Sequence, residues 1–210
     1  MGDFRETTRD SYDTLAPDYE DLFPDWELNP IDGAGYAAFA DLVRANGGGP
    51  VADVGCAFGW LTELLHGLGL DSYGIDLSPG MVRQAQRRYP YLGFEVGDML
   101  DLDVPAGGLG GLMASYSIIH VPWDLRPRLF AEFHRALKPG GTVMLGFQIG
   151  DERIHRDEGW GRRLDLDWYR QRPDDVEKLL TEAGFTVKAT IVRAPEGREK
   201  TPQGHMLAKK

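Results

Sequence analysis

Cysteine is almost missing from this chain. Cys56 stands alone among 210 residues, which excludes an internal disulfide and any metal cluster built on cysteines, and no other metal site is expected. Long apolar runs are missing too, none approaching the roughly 20 residues that span a bilayer, so no membrane role is expected. Basic residues are in deficit, 23 Lys and Arg against 33 Asp and Glu for a net charge of −10. Such a surface suits a nucleic-acid phosphate backbone poorly. Internal repeats and low-complexity segments are lacking. The first residues have no basic segment followed by an apolar one, so no secretory signal is expected and a cytoplasmic location is. What remains, 42% hydrophobic and 27% charged residues, is the composition of a soluble globular protein. Its length suits a single α/β domain over 1–210, as a monomer or homodimer, acting on a small molecule.

Glycine and turn residues punctuate a regular alternation of elements. Gly47-Gly48-Gly49-Pro50 ends an N-terminal helical cap (1–50). Beyond it the patterning predicts strand 51–55, helix 59–68, strand 72–76, helix 78–88, strand 92–95, strand 111–116, helix 124–137 and strand 142–148. Helices lying between strands require right-handed crossovers and a parallel sheet covered on both faces. Ser78 followed by Pro79 specifies a helix start. Residues 149–210 break the pattern: a charged acceptor-side loop 151–163, helix 174–183, and two strands joined across Pro195-Glu196-Gly197 as a late antiparallel pair at the sheet edge. The fold class expected is doubly wound α/β, Rossmann-like and seven-stranded.

Val51 to Gly59, followed by Tyr73-Gly74-Ile75-Asp76, reads as strand, glycine turn, helix and strand, with Asp76 placed to accept hydrogen bonds from a ribose. A dinucleotide would need room for its pyrophosphate at that turn, and Phe58 with Trp60 crowds it.

Four segments in order, Asp53-Val54-Gly55-Cys56-Ala57-Phe58-Gly59, Gly74 to Met81, Gly97-Asp98-Met99 and Leu137-Lys138-Pro139-Gly140-Gly141, make the chain similar to class I S-adenosylmethionine-dependent methyltransferases over nearly its whole length. The resemblance implies S-adenosylmethionine as cofactor and S-adenosylhomocysteine as product. The backbone from Gly55 through Cys56 and Ala57 to Gly59 would line the methionine part, with Asp53 near its amino end. Asp76 would hold the ribose hydroxyls, since an ionised carboxylate offers two acceptor oxygens. Leu77 and Met81 would pack on the adenine, Asp98 would accept from its amine, the Met99 amide would meet a ring nitrogen, and Ser115 would offer a carbonyl to the cofactor's amino group. Tyr12 and Tyr19, seven apart and so on one helical face, would lid the cofactor. The family usually has glycine where Ala57 stands; the expectation here is a negative φ that alanine adopts without strain. Cys56 is expected to be a small packed residue, not a nucleophile.

Methyl transfer from a sulfonium mainly needs an aligned acceptor, with a base only when that acceptor carries a proton. His120, just past the fourth strand, is the candidate base, its ordinary pKa near 6.5 suiting a hydroxyl proton; the alternative is a hydrogen-bonded structural histidine. Trp26, Tyr116, Gln148 and His155 are candidate acceptor-binding residues, and the aromatic cap including Phe23 suits a flat, partly apolar acceptor. Within that family the chain is similar to small stand-alone bacterial enzymes of natural-product biosynthesis, with O-methylation expected before N-methylation. Other readings are a cofactor-assisted cyclisation, rearrangement or decarboxylation, and a non-catalytic cofactor-binding subunit.

Overall fold

The computed structural model describes residues 3–22 and 28–210. Its centre is a seven-stranded sheet in the order β3-β2-β1-β4-β5-β9-β8. Strands β1 (Pro50–Val54), β2 (Asp71–Asp76), β3 (Gly93–Val96), β4 (Leu109–Ser115) and β5 (Leu137–Gln148) are mutually parallel, while β9 (Gln203–Lys209) runs antiparallel to both β5 and β8 (Thr186–Arg193). The late antiparallel pair is therefore present, with β9 inserted between β5 and the edge strand β8. Six of the seven residues of β4 are buried, as a central parallel strand covered on both faces requires.

Local chemistry sets the helix starts. In α1 (Phe4–Leu15) the Asp3 side chain accepts from Arg5 N at 3.0 Å, and in α3 (Pro30–Ala45) Asn29 accepts from Ile31 N at 2.8 Å. In α5 (Pro79–Arg88) Ser78 accepts from Met81 N at 3.1 Å, with Pro79 at the first helical position. Helices α4 (Trp60–Gly67), α6 (Arg126–Ala136) and α7 (Pro173–Glu182) complete the layers. Tyr36, Phe39, Val43, Leu61 and Leu65 pack on one face of the sheet; Leu129, Phe130, Phe133, Val176 and Leu180 pack on the other. Each such side chain contributes about 1.5–3 kcal/mol by leaving water.

Two expectations about local structure change. Residues 151–163 are not a loop: β6 (Arg153–Gly159) and β7 (Arg162–Tyr169) form an antiparallel hairpin. The charges of β6 conceal a period-two pattern in β7, where Leu164 and Leu166 are buried against Leu15, Ala16 and Met81. Tyr12 and Tyr19 do not share one helix, because α1 ends at Leu15 and a 3-10 turn Ala16–Asp18 containing Pro17 precedes the short α2 (Tyr19–Leu22). Of the N-terminal helices, α1 borders the cleft described next, whereas α3 packs beneath the sheet against β5 and β9. Among the described residues no helix is long and apolar enough to cross a membrane.

Candidate functional site

A cleft opens at the carboxyl ends of β1, β2 and β4, where ligands of open α/β sheets sit. It is bordered by Asp53 and the turn Gly55–Phe58, by Asp76 to Ser78, by Gly97 to Met99, by Ser115 to Ser117, by His120, and by Tyr12 and Tyr19. Gly55 takes φ 80°, and a Cβ there would lie 2.2 Å from Ser117 Cβ, so both backbone and space require glycine. Gly59 takes φ 86° at the cap of α4, turned away from the cleft toward the Phe94 ring; it shapes the turn without bordering the cavity.

Ala57 overturns the expected negative φ. It takes φ 48°, a left-handed conformation that costs an L-residue about 1–2 kcal/mol. The N–H of Ala57 donates to Asp76 Oδ2 at 2.8 Å, and Ser78 N donates to Asp76 Oδ1 at 2.8 Å. Asp76 thus ties the glycine turn to the start of α5, and the bond helps to hold Ala57 in its unfavourable geometry. Burial pushes the Asp76 carboxyl up to about 6, against the two N–H groups that favour its anion. Burial likewise pushes Asp53 up to about 7, although the Thr62 hydroxyl donates to its Oδ2 at 2.7 Å. Cys56 is buried, and burial raises its thiol well above the ordinary range, so no reactive thiolate forms there.

One side of α1 covers the cleft with Phe4, Arg5, Thr8 and Tyr12. Arg5 and Asp13 help to dock the helix: Arg5 Nε lies 2.9 Å from Asp98 Oδ2, and Asp13 Oδ1 accepts from Ser78 Oγ at 2.5 Å and from Gly80 N at 2.7 Å. Asp98 Oδ1 accepts from Leu100 N at 2.9 Å. The aromatic cover is continuous, with ring centroids 6.1 Å apart for Tyr12 and Tyr19 and 5.7 Å for Tyr19 and Phe58. Phe58 and Trp60 both border the cleft.

His120 is 7% exposed in the turn Ile118–His120. Its Nδ1 lies 2.8 Å from the Asp167 carbonyl of β7 and its Nε2 lies 2.8 Å from Tyr12 Oη. A carbonyl can only accept, so Nδ1 carries the hydrogen and Nε2 accepts from the Tyr12 hydroxyl. Burial pushes the imidazole down to about 4, despite the Asp167 carbonyl, leaving it neutral at pH 7. Burial raises the Tyr12 phenol well above its ordinary value, so it keeps its proton. Tyr116 is another non-glycine residue at positive φ, 55°.

Besides Gly59, four residues expected at the site are elsewhere or undescribed. Met81 is fully buried among Leu15, Ala16, Leu164 and Leu166, because the α1–β7 layer covers it. Gln148 ends β5 paired with Gln203, and its carbonyl accepts from Gln171 N at 3.1 Å, outside the cleft. His155 is half-exposed on β6, 3.2 Å from Asp167 Oδ1; β7 is the strand that faces α1, so β6 carries His155 away from the cavity. Trp26, with Phe23, lies outside the described residues. Phe4, Arg5, Thr8 and Asp13 were not anticipated, although 4, 8 and 12 repeat at helical spacing behind a capping Asp3. The Asp167 carbonyl left no sequence signal, since every residue has one.

Residues 51–141 match a family described as a methyltransferase domain. The chain is 25% identical over 151 residues to a probable S-adenosylmethionine-dependent methyltransferase of Mycolicibacterium smegmatis, covering 71% of this chain and 57% of that one. It is 27% identical over 139 residues to demethylmenaquinone methyltransferase of Renibacterium salmoninarum, covering 63% and 58%. The chain thus spans somewhat over half the length of these two relatives. The fold superposes on magnesium protoporphyrin IX methyltransferase from Synechocystis, solved with bound S-adenosylmethionine, at TM-score 0.75 and 18% identity, covering 100% of this chain and 98% of that one. With the four motifs on one sheet in this strand order and a methyltransferase-domain match over residues 51–141, the chain is similar to class I S-adenosylmethionine-dependent methyltransferases.

Proposed function

We propose that this chain, acting as one methyltransferase domain in the cytoplasm, binds S-adenosylmethionine in the cleft and moves its methyl group to an oxygen, or secondarily a nitrogen, of a small secondary metabolite. The observation that carries the reading is the convergence of the Gly55–Phe58 turn, Asp76 and Asp98–Met99 on one cavity beneath α1. These residues fit the cofactor. Asp76 keeps lone pairs free for two ribose hydroxyls while its anion is held by Ala57 N and Ser78 N. Asp98 offers its remaining capacity to an exocyclic amine, Leu77 and Met99 supply apolar contact, and the Ser115 carbonyl and Asp53 are placed for an ammonium. An ammonium beside Asp53 would draw its raised pKa down and complete its ionisation. The bound cofactor supplies an electrophilic methyl on a sulfonium.

The protein's own part is mostly positioning. Phe4, Tyr12, Tyr19 and Tyr116 exclude water from the cavity and hold a flat acceptor in line. His120 is neutral and takes a proton at Nε2 once an acceptor hydroxyl replaces that of Tyr12. A base held near pKa 4 removes an acidic phenolic proton far better than an alkyl one. That favours phenol-like acceptors, or amines that attack unprotonated.

The test is calorimetry with S-adenosylhomocysteine, followed by incubation with S-adenosylmethionine and a panel of phenols and aryl amines read by mass. Binding and a gain of one methyl with S-adenosylhomocysteine release are expected. Binding with a mass-neutral product, or with no turnover and no effect of His120→Ala, points to the other chemistries; no binding removes the reading altogether.

A further inference from the structure

A second cleft lies between the turn that starts α6 and the start of α7, and it shares no bordering residue with the first. Three features converge there. Gln171 is 2% exposed and its main chain is fixed, N donating to Gln148 O at 3.1 Å and O accepting from Gly150 N at 3.2 Å, yet neither Oε1 nor Nε2 has a partner. Buried amides are normally satisfied, so this one is available to a ligand. Arg126 is 3% exposed and its guanidinium donates to the main-chain oxygens of Val121 at 3.3 Å and Tyr169 at 3.2 Å. No carboxylate pairs with it among the described residues. Burial pushes it down to about 10, the mark of a cation without its counter-charge. Finally α7 begins with Arg172 at its N-cap, Pro173 next, and no side-chain cap, with Asp174 and Asp175 in its first turn facing the positive end of its dipole.

The rim adds carboxylates. Asp151 and Asp175 are exposed there beside the exposed Arg172, and Arg170 is already engaged with Glu152 at 3.2 Å. A floor of guanidinium and amide N–H below an acidic rim matches a ligand that is negative at one end and positive at the other. We propose that this cleft binds a small α-amino carboxylate, its carboxylate against Arg126 and the Gln171 Nε2 hydrogens, its ammonium between Gln171 Oε1 and the rim carboxylates. A multiply charged anion such as phosphate is disfavoured by Asp151 and Asp175, and a simple carboxylate leaves Gln171 Oε1 unpartnered.

The full chain, labelled with nitrogen-15, provides the test through the Trp123 indole N–H, which borders the cleft and donates to the Arg170 carbonyl at 3.3 Å. Its resonance is identified by its loss in Trp123→Phe. Titration with glycine, L-serine and L-glutamate should move it saturably, while acetate, methylamine and inorganic phosphate should bind about tenfold or more weakly, since each forfeits at least one charge-assisted bond. Gln171→Leu should weaken the amino acids by at least the same factor. Gln171→Glu sets an internal carboxylate beside Arg126, so binding should be lost while the thermal midpoint rises; this variant carries the test if the leucine variant fails to fold. No saturable shift with any amino acid overturns the proposal. Equal shifts from all the anions, unchanged in the variants, mean an adventitious ion only and overturn it as well.

Discussion

Tyr12 and His120 are 108 positions apart in sequence, and Oη meets Nε2 at 2.8 Å. Because the other ring nitrogen is bonded to the Asp167 carbonyl, this one contact joins α1, the turn after β4 and the β6–β7 hairpin. Tyr12→Phe removes the donor and leaves a buried Nε2 unsatisfied, which should cost about 1–3 kcal/mol in urea unfolding. Nitrogen-15 spectra should show His120 still protonated on Nδ1. A variant as stable as the parent, or one with the other tautomer, means that the contact does not hold the lid.

Affinity for S-adenosylhomocysteine should depend on pH through Asp76. Its pKa is raised to about 6 by burial, so the anion that accepts ribose hydroxyls is present above that pH and is lost as pH falls through it. The sign for stability of the free protein is opposite: a carboxyl with a raised folded pKa stabilises the fold at low pH, and that contribution disappears as pH rises through about 6. Calorimetry between pH 5 and 8 should show tighter binding at the alkaline end, with Asp76→Ala weakening it by about 100-fold or more at pH 8 for two charge-assisted bonds lost. Intact affinity in Asp76→Ala defeats the ribose assignment.

Ala57→Gly should stabilise the protein. Glycine at φ 48° relieves about 1–2 kcal/mol of left-handed strain, against about 0.4–1 kcal/mol for the greater freedom of the unfolded chain. A net gain of about 0.5–1 kcal/mol in chemical denaturation is expected, with cofactor affinity kept, since the N–H to Asp76 is unchanged. A loss of stability would indicate that the methyl group packs usefully in the turn.

The ion network behind the sheet should be fragile. Arg193 is 7% exposed and donates bidentately to Asp32 at 2.7 and 2.8 Å and to Glu199 at 2.6 Å twice. His205 Nε2 lies 2.9 Å from Asp32 Oδ1. Burial alone would raise Asp32, but His205 and Arg193 overcome it and hold the carboxyl at about 2. A depressed folded pKa stabilises above the unfolded value, so this contribution should fade as pH falls from about 4 toward 2. Arg193→Met strands the buried Asp32 carboxylate and the partly exposed Glu199 one, and should cost about 3–5 kcal/mol, read from denaturant midpoints. A change below 1 kcal/mol would show the network to be solvated.

Much of this was legible in the chain because the cofactor-side elements are local. Ser78-Pro79 starts α5 through its own hydroxyl and ring, and the sheet-forming runs at Val51, Tyr73 and Leu112 declare themselves as short, mostly apolar segments between turn residues. Asp76 reaches Ala57 across one crossover, which short-range reasoning can follow. The hairpin was hidden because its outer strand is charged, and only one face of β7 is buried. Met81 looked like a cavity residue because an apolar side chain does not indicate which of two layers will cover it.

The sequence by itself determined the order of elements from β1 to β5, the glycine turn and the acidic ends of β1 and β2, since these depend on conformational preference and periodicity within one or two elements. The tertiary structure alone decided the sign of φ at Ala57, the pairing of His120 with Tyr12, the removal of Gln148, His155 and Met81 from the cleft, the unpartnered Gln171 amide, and the burial of Arg126 against main-chain oxygens. Each of those depends on which distant surface is brought against a residue, and burial sets both its hydrogen-bond partner and its charge only after the chain has closed around it.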